Sequence, residues 1–309
     1  MKVIKTQDID VVKSIFKRLV LPDVNSHKGE NGKILIIGGS SLFHAASLWA
    51  AETASFFVDI VHYSSTEENQ KIFLNLKTKF RNGIIVKKAN LLDYVKEDDV
   101  ILMGTGMVRQ LKVNPPAGGQ KLKVEIKKIF SLKDEGEYTY FLTKYLIENF
   151  PEKKFVFDAG SLQMMEKDWL LNLKITPIIT PHQKEFETLF QEKIINLNFD
   201  DKIKLVEKTA KKYKIVILLK AIRDIISDGK NTYVIEGGNQ GLTKGGTGDV
   251  LAALASCFYI KNNPIEAALL ASLLLKLTAD ELFKTYGYWY NVSVVIDNLP
   301  KVLMRNINI

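Results

Sequence analysis

Lys244-Gly245-Gly246-Thr247-Gly248-Asp249, followed by the apolar run VLAALASCFYI, gathers the residues best suited to chemistry into one turn. Glycines let the backbone bend so that several amide N–H groups point the same way, and a helix starting after them adds the positive end of its dipole. Such a turn is an anion site, suited to the charge that builds on a transferring phosphoryl group. Its acid is oddly placed, because a carboxylate repels a phosphate. Two readings of Asp249 are open on spacing alone. It caps the helix, as aspartate does well, or it takes the proton of a hydroxyl that attacks phosphorus. The turn is not a Walker loop, since no Gly-Lys-Ser/Thr closes it. Nor is it a dinucleotide fingerprint, since no strand immediately precedes it and no acidic residue closes a βαβ unit at the right distance.

The elements that must carry this turn follow from hydrophobic patterning. Apolar runs at residues 33–37, 58–63, 83–86, 99–103, 154–157, 177–180 and 215–219 predict strands, and 224–235 predicts a hairpin turning at Asp228-Gly229. Helical periodicity covers 9–20, within an N-terminal helical region 1–25, and 45–57, 138–149, 200–213, 250–259 and 264–285. Residues 108–137 are more polar, hold Pro115-Pro116 and Gly118-Gly119, and read as an excursion from the core. Strands alternating with helices imply an α/β fold with a mainly parallel sheet covered on both faces. Neither an internal repeat nor a low-complexity linker interrupts residues 1–309, so one domain is expected. In such sheets ligands sit beyond the carboxyl ends of the strands. Four polar groups fall there: Gly38-Gly39-Ser40, Gly104-Thr105-Gly106, Asp158-Ala159-Gly160 and Thr180-Pro181-His182.

Composition narrows the partners. The 309 residues are 46% hydrophobic and carry a net charge of +8, spread as lysines beside acids with no long run of one sign. That pattern suits a basic groove for an anionic metabolite and disfavours nucleic acid. The single cysteine, Cys257, lies in an apolar stretch and reads as a buried small hydrophobe; no cysteine-rich metal site is possible. The charged N-terminus lacks the apolar core of a signal peptide, and no window reaches the roughly 18 apolar residues of a membrane span. A soluble, cytoplasmic chain that makes no membrane contact is expected.

Taken together the motifs resemble a known family. Gly245-Gly246-Thr247-Gly248-Asp249-Val250-Leu251 is similar to the signature loop of the ribokinase-like superfamily, and in particular of the NAD(P)H-hydrate dehydratases. His27-Lys28-Gly29 through Gly38-Gly39-Ser40 resembles the family opening. Gly104-Thr105-Gly106-Met107, Asp158-Ala159-Gly160-Ser161-Leu162 and Thr180-Pro181-His182 with Glu185 follow in the family's order, across residues 26–299. The resemblance implies a ribokinase-like three-layer α/β/α fold and repair of hydrated NADH or NADPH. ATP or ADP would phosphorylate the ring hydroxyl, and phosphate would then leave. By position it implies that Asp249 is the base, that Gly245, Gly246, Thr247 and Gly248 hold phosphate, and that Lys220, Ala221, Ile222, Arg223 and Asp224 contact the nucleotide. Ala46, Gly106 and His182, with Asp249, would contact the hydrated dinucleotide. Mg2+ bridging phosphates, with no dedicated protein ligands, and a homo-oligomer are also implied. The chain departs from the family pattern at Ala45, at Gly160, at Ala221 and in the bulky stretch 56–65.

Other readings stay open at this level. Lys220 is a solvated strand end, His182 shapes a turn, and Ala46 permits close helix packing. A ribokinase-like kinase acting on a thiazole, pyrimidine or sugar alcohol would share the Asp249 loop. A nucleotide sensor would share the pocket but have no use for a base beside phosphate.

Overall fold

The computed structural model describes residues 1–108 and 125–307. Ten strands, β1 Lys2–Lys5, β2 Lys33–Ile37, β3 Ile60–Ser64, β4 Ile84–Ile85, β5 Val100–Met103, β6 Lys154–Phe157, β7 Ile178–Ile179, β8 Val216–Leu219, β9 Asp224–Ser227 and β10 Thr232–Glu236, form one sheet. Their order is β1-β10-β9-β8-β7-β6-β5-β2-β3-β4. From β8 across to β4 all pairings are parallel, whereas β9 runs antiparallel between β8 and β10, and β1 lies parallel to β10 at the edge. The helices are α1 Ile9–Phe16, α2 Ala45–Ala54, α3 Glu67–Asn75, α4 Leu91–Glu97, α5 Ile126–Phe130, α6 Glu135–Asn149, α7 Ala159–Met164, α8 Gln183–Phe190, α9 Phe199–Tyr213, α10 Thr247–Tyr259, α11 Pro264–Tyr286 and α12 Val292–Asn306.

Side-chain alternation explains the layers. In β2, Ile34 and Ile36 enter one apolar cluster with α2, α10, α11 and α12, while Leu35 and Ile37 enter a second with α4, α6, α8 and α9. Strands β5 and β8 split the same way, which is why they read as unbroken apolar runs instead of alternating ones. The architecture is a three-layer α/β/α sandwich.

Two features of this frame position the site. Strand β2 has β3 on one side and β5 on the other, so the chain leaves in one direction and returns in the other. That switch opens a crevice at the carboxyl ends of β2 and β5. Helix α10 is the second feature. It packs against both α2 and α11, and its buried Ala252, Ala253, Ala255 and Ser256 are small enough to let neighbouring elements come close. A helix buried on so many sides holds its first turn still.

Several expectations need correction. The N-terminal region opens with a strand, not a helix: β1 pairs along β10, and α1 ends at Phe16, short of Pro22. Helix α12, which contains Pro300, and helices α3, α4 and α8 were not among the predicted elements. Most of the excursion at 108–137 lies outside the described residues; what is described holds α5 and the first turn of α6. No helix among the described residues is long and apolar enough to cross a membrane.

Candidate active site

The chain reaches α10 from a short 3-10 turn, Gln240–Thr243, and must reverse sharply. Gly246 does this at φ +105°, and a β-carbon there would stand 2.4 Å from Trp49 Cε3, so both backbone and neighbour require glycine. The Thr247 hydroxyl pins the turn from behind, donating to the carbonyls of Leu242 at 2.8 Å and Lys244 at 3.0 Å. Among the described residues, the backbone N–H groups of Gly245, Gly246 and Gly248 donate to no protein acceptor. These are the orphan amides of a helix start. The N-cap of α10 is Gly246, which has no side chain to cap with, and Asp249, the helix's third residue, sets its carboxyl beside its own backbone N–H.

Two cavities flank this turn. One, of about 550 Å³, is lined by Phe43, Ala46, Trp49, Gly106, Gly246 and Asp249 among others, and is mostly apolar. The other, of about 610 Å³, takes in His182, Lys220, Ile222, Thr247, Gly248 and Lys276. The start of α10 is thus a shared wall. Gly245, Gly246 and Asp249 face the first cavity, and Thr247 and Gly248 face the second. Gly106, at φ +69°, brings its backbone so close to α2 that a β-carbon would lie 2.8 Å from Ala46 Cβ.

Beneath the shared wall lies a buried set of charges from three adjacent strand ends. Lys220 Nζ, just beyond β8, donates to Asp158 Oδ1 at 2.7 Å and stands 3.9 Å from Glu185 Oε2. Asp158, which follows β6, also accepts from the Thr180 hydroxyl at 2.8 Å, and Glu185 accepts from Gln163 at 3.0 Å. Parallel pairing continues past the strands to set this spacing: Lys220 N–H donates to the Pro181 carbonyl at 2.9 Å, beside the bridge from His182 to Lys220. Burial opposes the charge on Lys220, but the carboxylates of Asp158 and Glu185 outweigh it and hold its pKa above the ordinary value. The ammonium lies next to Gly248, 3.4 Å from where a β-carbon would be. Asp249 feels the opposite balance. Burial, with Asp158 and Glu185 adding repulsion against the pull of Lys220, pushes its pKa up to about 7. A carboxyl poised there can exchange a proton near neutrality.

The remaining candidate residues separate. Asp249, Ala46 and Gly106 come together in the first cavity, whereas His182 stands beside Lys220 in the second. The reason is local: His182 caps α8, its Nδ1 accepting from Lys184 and Glu185 N–H at 3.1 Å, while Glu185 Oε2 accepts from His182 N–H at 2.9 Å. Ala221 and Ile222 border the second cavity. Arg223 turns away, its guanidinium 3.4 Å above the Phe199 ring and 3.5 Å from Glu236. Asp224 is buried and accepts from Ala221 N–H and Ser272 Oγ at 2.9 and 2.7 Å, which makes it a brace for this turn.

Asp158 and Glu185 were visible in the motifs but had no role there; only the fold shows that both hold Lys220. Trp49 and Lys276 were missed. Lys276 had a signal, as a lone charge inside the apolar run LLLKL.

Comparison with known proteins gives a consistent picture. A family model described as NAD(P)H-hydrate dehydratase matches residues 34–301. The chain is 30% identical over 297 residues to the bifunctional NAD(P)H-hydrate repair enzyme Nnr of Methanocaldococcus jannaschii, covering 93% of this chain and 51% of that protein. It is 30% identical over 289 residues to the ADP-dependent (S)-NAD(P)H-hydrate dehydratase of Nitrosopumilus maritimus, covering 90% of this chain and 89% of the other. The chain spans about half the length of the bifunctional relatives it matches. The crystal structure of the ADP/ATP-dependent NAD(P)H-hydrate dehydratase of Bacillus subtilis, co-crystallised with ATP/Mg2+, superposes with a TM-score of 0.73. That match is 19% identical and covers 96% of this chain and 97% of the other. The fold is the ribokinase-like one.

Proposed function

Since the chain belongs to the NAD(P)H-hydrate dehydratase family, we propose that it restores hydrated NADH or NADPH at the expense of ATP or ADP. One observation carries the reading: the start of α10 separates two cavities of similar size, with its acid facing one and its glycine amides open to the phosphate path. A donor nucleotide in the second cavity would lay its phosphates along Lys220 and over Gly248. The hydrated nicotinamide would enter the first, where Trp49 and Phe43 offer an apolar bed for the ring and Asp249 meets the hydroxyl.

The chemistry then follows from the residues. Asp249 takes the hydroxyl proton as its oxygen attacks phosphorus, and the nucleotide leaves one phosphate shorter. The amides of the turn and the Lys220 ammonium stabilise charge on the moving phosphoryl group. Phosphate on the ring is a far better leaving group than hydroxide. The ring nitrogen lone pair expels it, and loss of a proton from the adjacent ring carbon restores the dihydronicotinamide. Magnesium suits this site as a phosphate-borne ion. Asp158 and Glu185 are taken up by Lys220, Thr180 and Gln163, and the described residues hold no group of three metal-binding side chains. Bound through phosphate oxygens and water, Mg2+ would supply charge neutralisation. A homo-oligomer working in the cytoplasm completes the reading.

The test is direct. Incubation with hydrated NADH and either ATP or ADP should restore the near-ultraviolet absorbance of the reduced ring, and Asp249→Asn should slow that recovery at least about a hundredfold while nucleotide binding persists. Phosphorylation of a small alcohol without any recovery of that absorbance would refute the proposal.

A further inference from the structure

Helix α11 places one lysine, Lys276, in a segment whose other side chains fill the core, and it is buried. A leucine would pack there at no electrostatic cost, so the charge needs an explanation. Lys276 Nζ donates to the carbonyl of Ile222 at 2.9 Å, of Ala221 at 3.3 Å and of Gly237 at 3.4 Å, and stands 3.6 Å from Asp224 Oδ1. Other lysines of this chain also donate to backbone carbonyls: Lys154 to Tyr259 and Ile260 at the end of α10, for example. Lys276 differs in lining the second cavity and in joining two separate strand connections, the turn between β8 and β9 and the exit of β10. Both connections contribute to the cavity border. Without the ammonium, three carbonyls would converge on one point with nothing to balance them.

We propose that Lys276 is a positioning residue for the nucleotide: by tying the turn at 220–224 to Gly237 it sets the width of the second cavity and the place of the Lys220 backbone. This rests on the reading of that cavity as the nucleotide site. Asp224 completes the device, because burial raises its pKa and Lys276 opposes that rise. The pair is therefore best removed together where removal of one member unfolds the chain.

The test uses the full chain, with ADP and ATP as titrants in calorimetry and both substrates varied in turnover. Lys276→Met is expected to weaken nucleotide binding and raise its KM about tenfold or more, the loss of at least one charged hydrogen bond. The hydrate KM, and kcat at saturating nucleotide, should stay within about twofold. If that variant fails to fold, Lys276→Met with Asp224→Asn removes the buried pair as a neutral unit and should show the same split. Ser272→Ala, which loosens Asp224 alone, should weaken nucleotide binding about threefold, as loss of one ordinary hydrogen bond would. Folded variants that bind nucleotide as the parent does, or that lose kcat with unchanged affinity, would overturn the positioning role. A parent chain that binds neither ADP nor ATP would instead overturn the nucleotide reading of the cavity.

Discussion

Replacing Asp249 by asparagine removes the proton acceptor but keeps size and shape, and the structure sets what should follow. The carboxyl interacts with its own backbone N–H, and an amide oxygen can take its place there, so the helix start and its amides should survive. Only the proton transfer is lost, which for a positioned general base costs about 10²–10⁴-fold in kcat. The variant should also be more stable, in a way that depends on pH. An acid whose pKa is higher in the folded chain than in the unfolded one stabilises the fold fully below the unfolded value, 3.8, and that contribution is lost as pH rises to about 7. The full displacement sets an upper bound of about 4 kcal/mol; because the carboxyl borders an open cavity, about 1–2 kcal/mol is the expected gain. Asp249→Asn should therefore match the parent in melting temperature at acid pH and exceed it by a few degrees, about 2–4 °C per kcal/mol, above neutrality. In the parent, kcat/KM should rise with pH up to about 7 and then level off, as Asp249 loses its proton. The assays are turnover of hydrated NADH across pH and thermal melts at matched pH. A variant that keeps turnover within about tenfold of the parent, or whose melting temperature falls at high pH, would refute the role assigned to this carboxyl.

Two further changes probe the rest of the site. Gly106→Ala, at φ +69° with a β-carbon 2.8 Å from Ala46, should cost about 1–3 kcal/mol and raise the hydrate KM while sparing the nucleotide KM; equal effects on both would show that the two cavities are not separate sites. Lys220→Met leaves Asp158, 2% exposed, without its ammonium, and should cost about 3–5 kcal/mol in a denaturant melt. Adding Asp158→Asn should recover most of that stability but not turnover, which separates the lysine's electrostatic role at the phosphate from its role in the fold.

Much of the frame was legible because both faces of the sheet are covered, which leaves β2, β5, β6 and β8 as short apolar runs that no amphipathic helix would show. The α10 turn was legible because clustered glycines ahead of an apolar helical run mark a backbone bend, and an acid beside the anion site they form calls for a role. What escaped reading depended on tertiary contact. Strand β1 has only four residues, mostly charged or exposed, and is a strand because β10 offers it an edge. Pro300 disguised α12, which packs well despite the missing N–H. His182 sits in a motif whose spacing is clear, but its capping of α8, and hence which cavity it joins, depends on the position of Glu185. Arg223 is adjacent to the nucleotide turn in sequence, yet Phe199 and Glu236 draw it to another surface. The role of Asp158 came into view only once β6, β7 and β8 lay side by side.

The central claim is that the ring hydroxyl of the substrate attacks phosphorus across the α10 start. Hydrated NADH carrying a heavy oxygen isotope in that hydroxyl, turned over with unlabelled ATP or ADP, tests it most directly. The label should appear in the inorganic phosphate released, in amount equal to the NADH formed. Label recovered in water, with unlabelled phosphate and restored NADH, would contradict it.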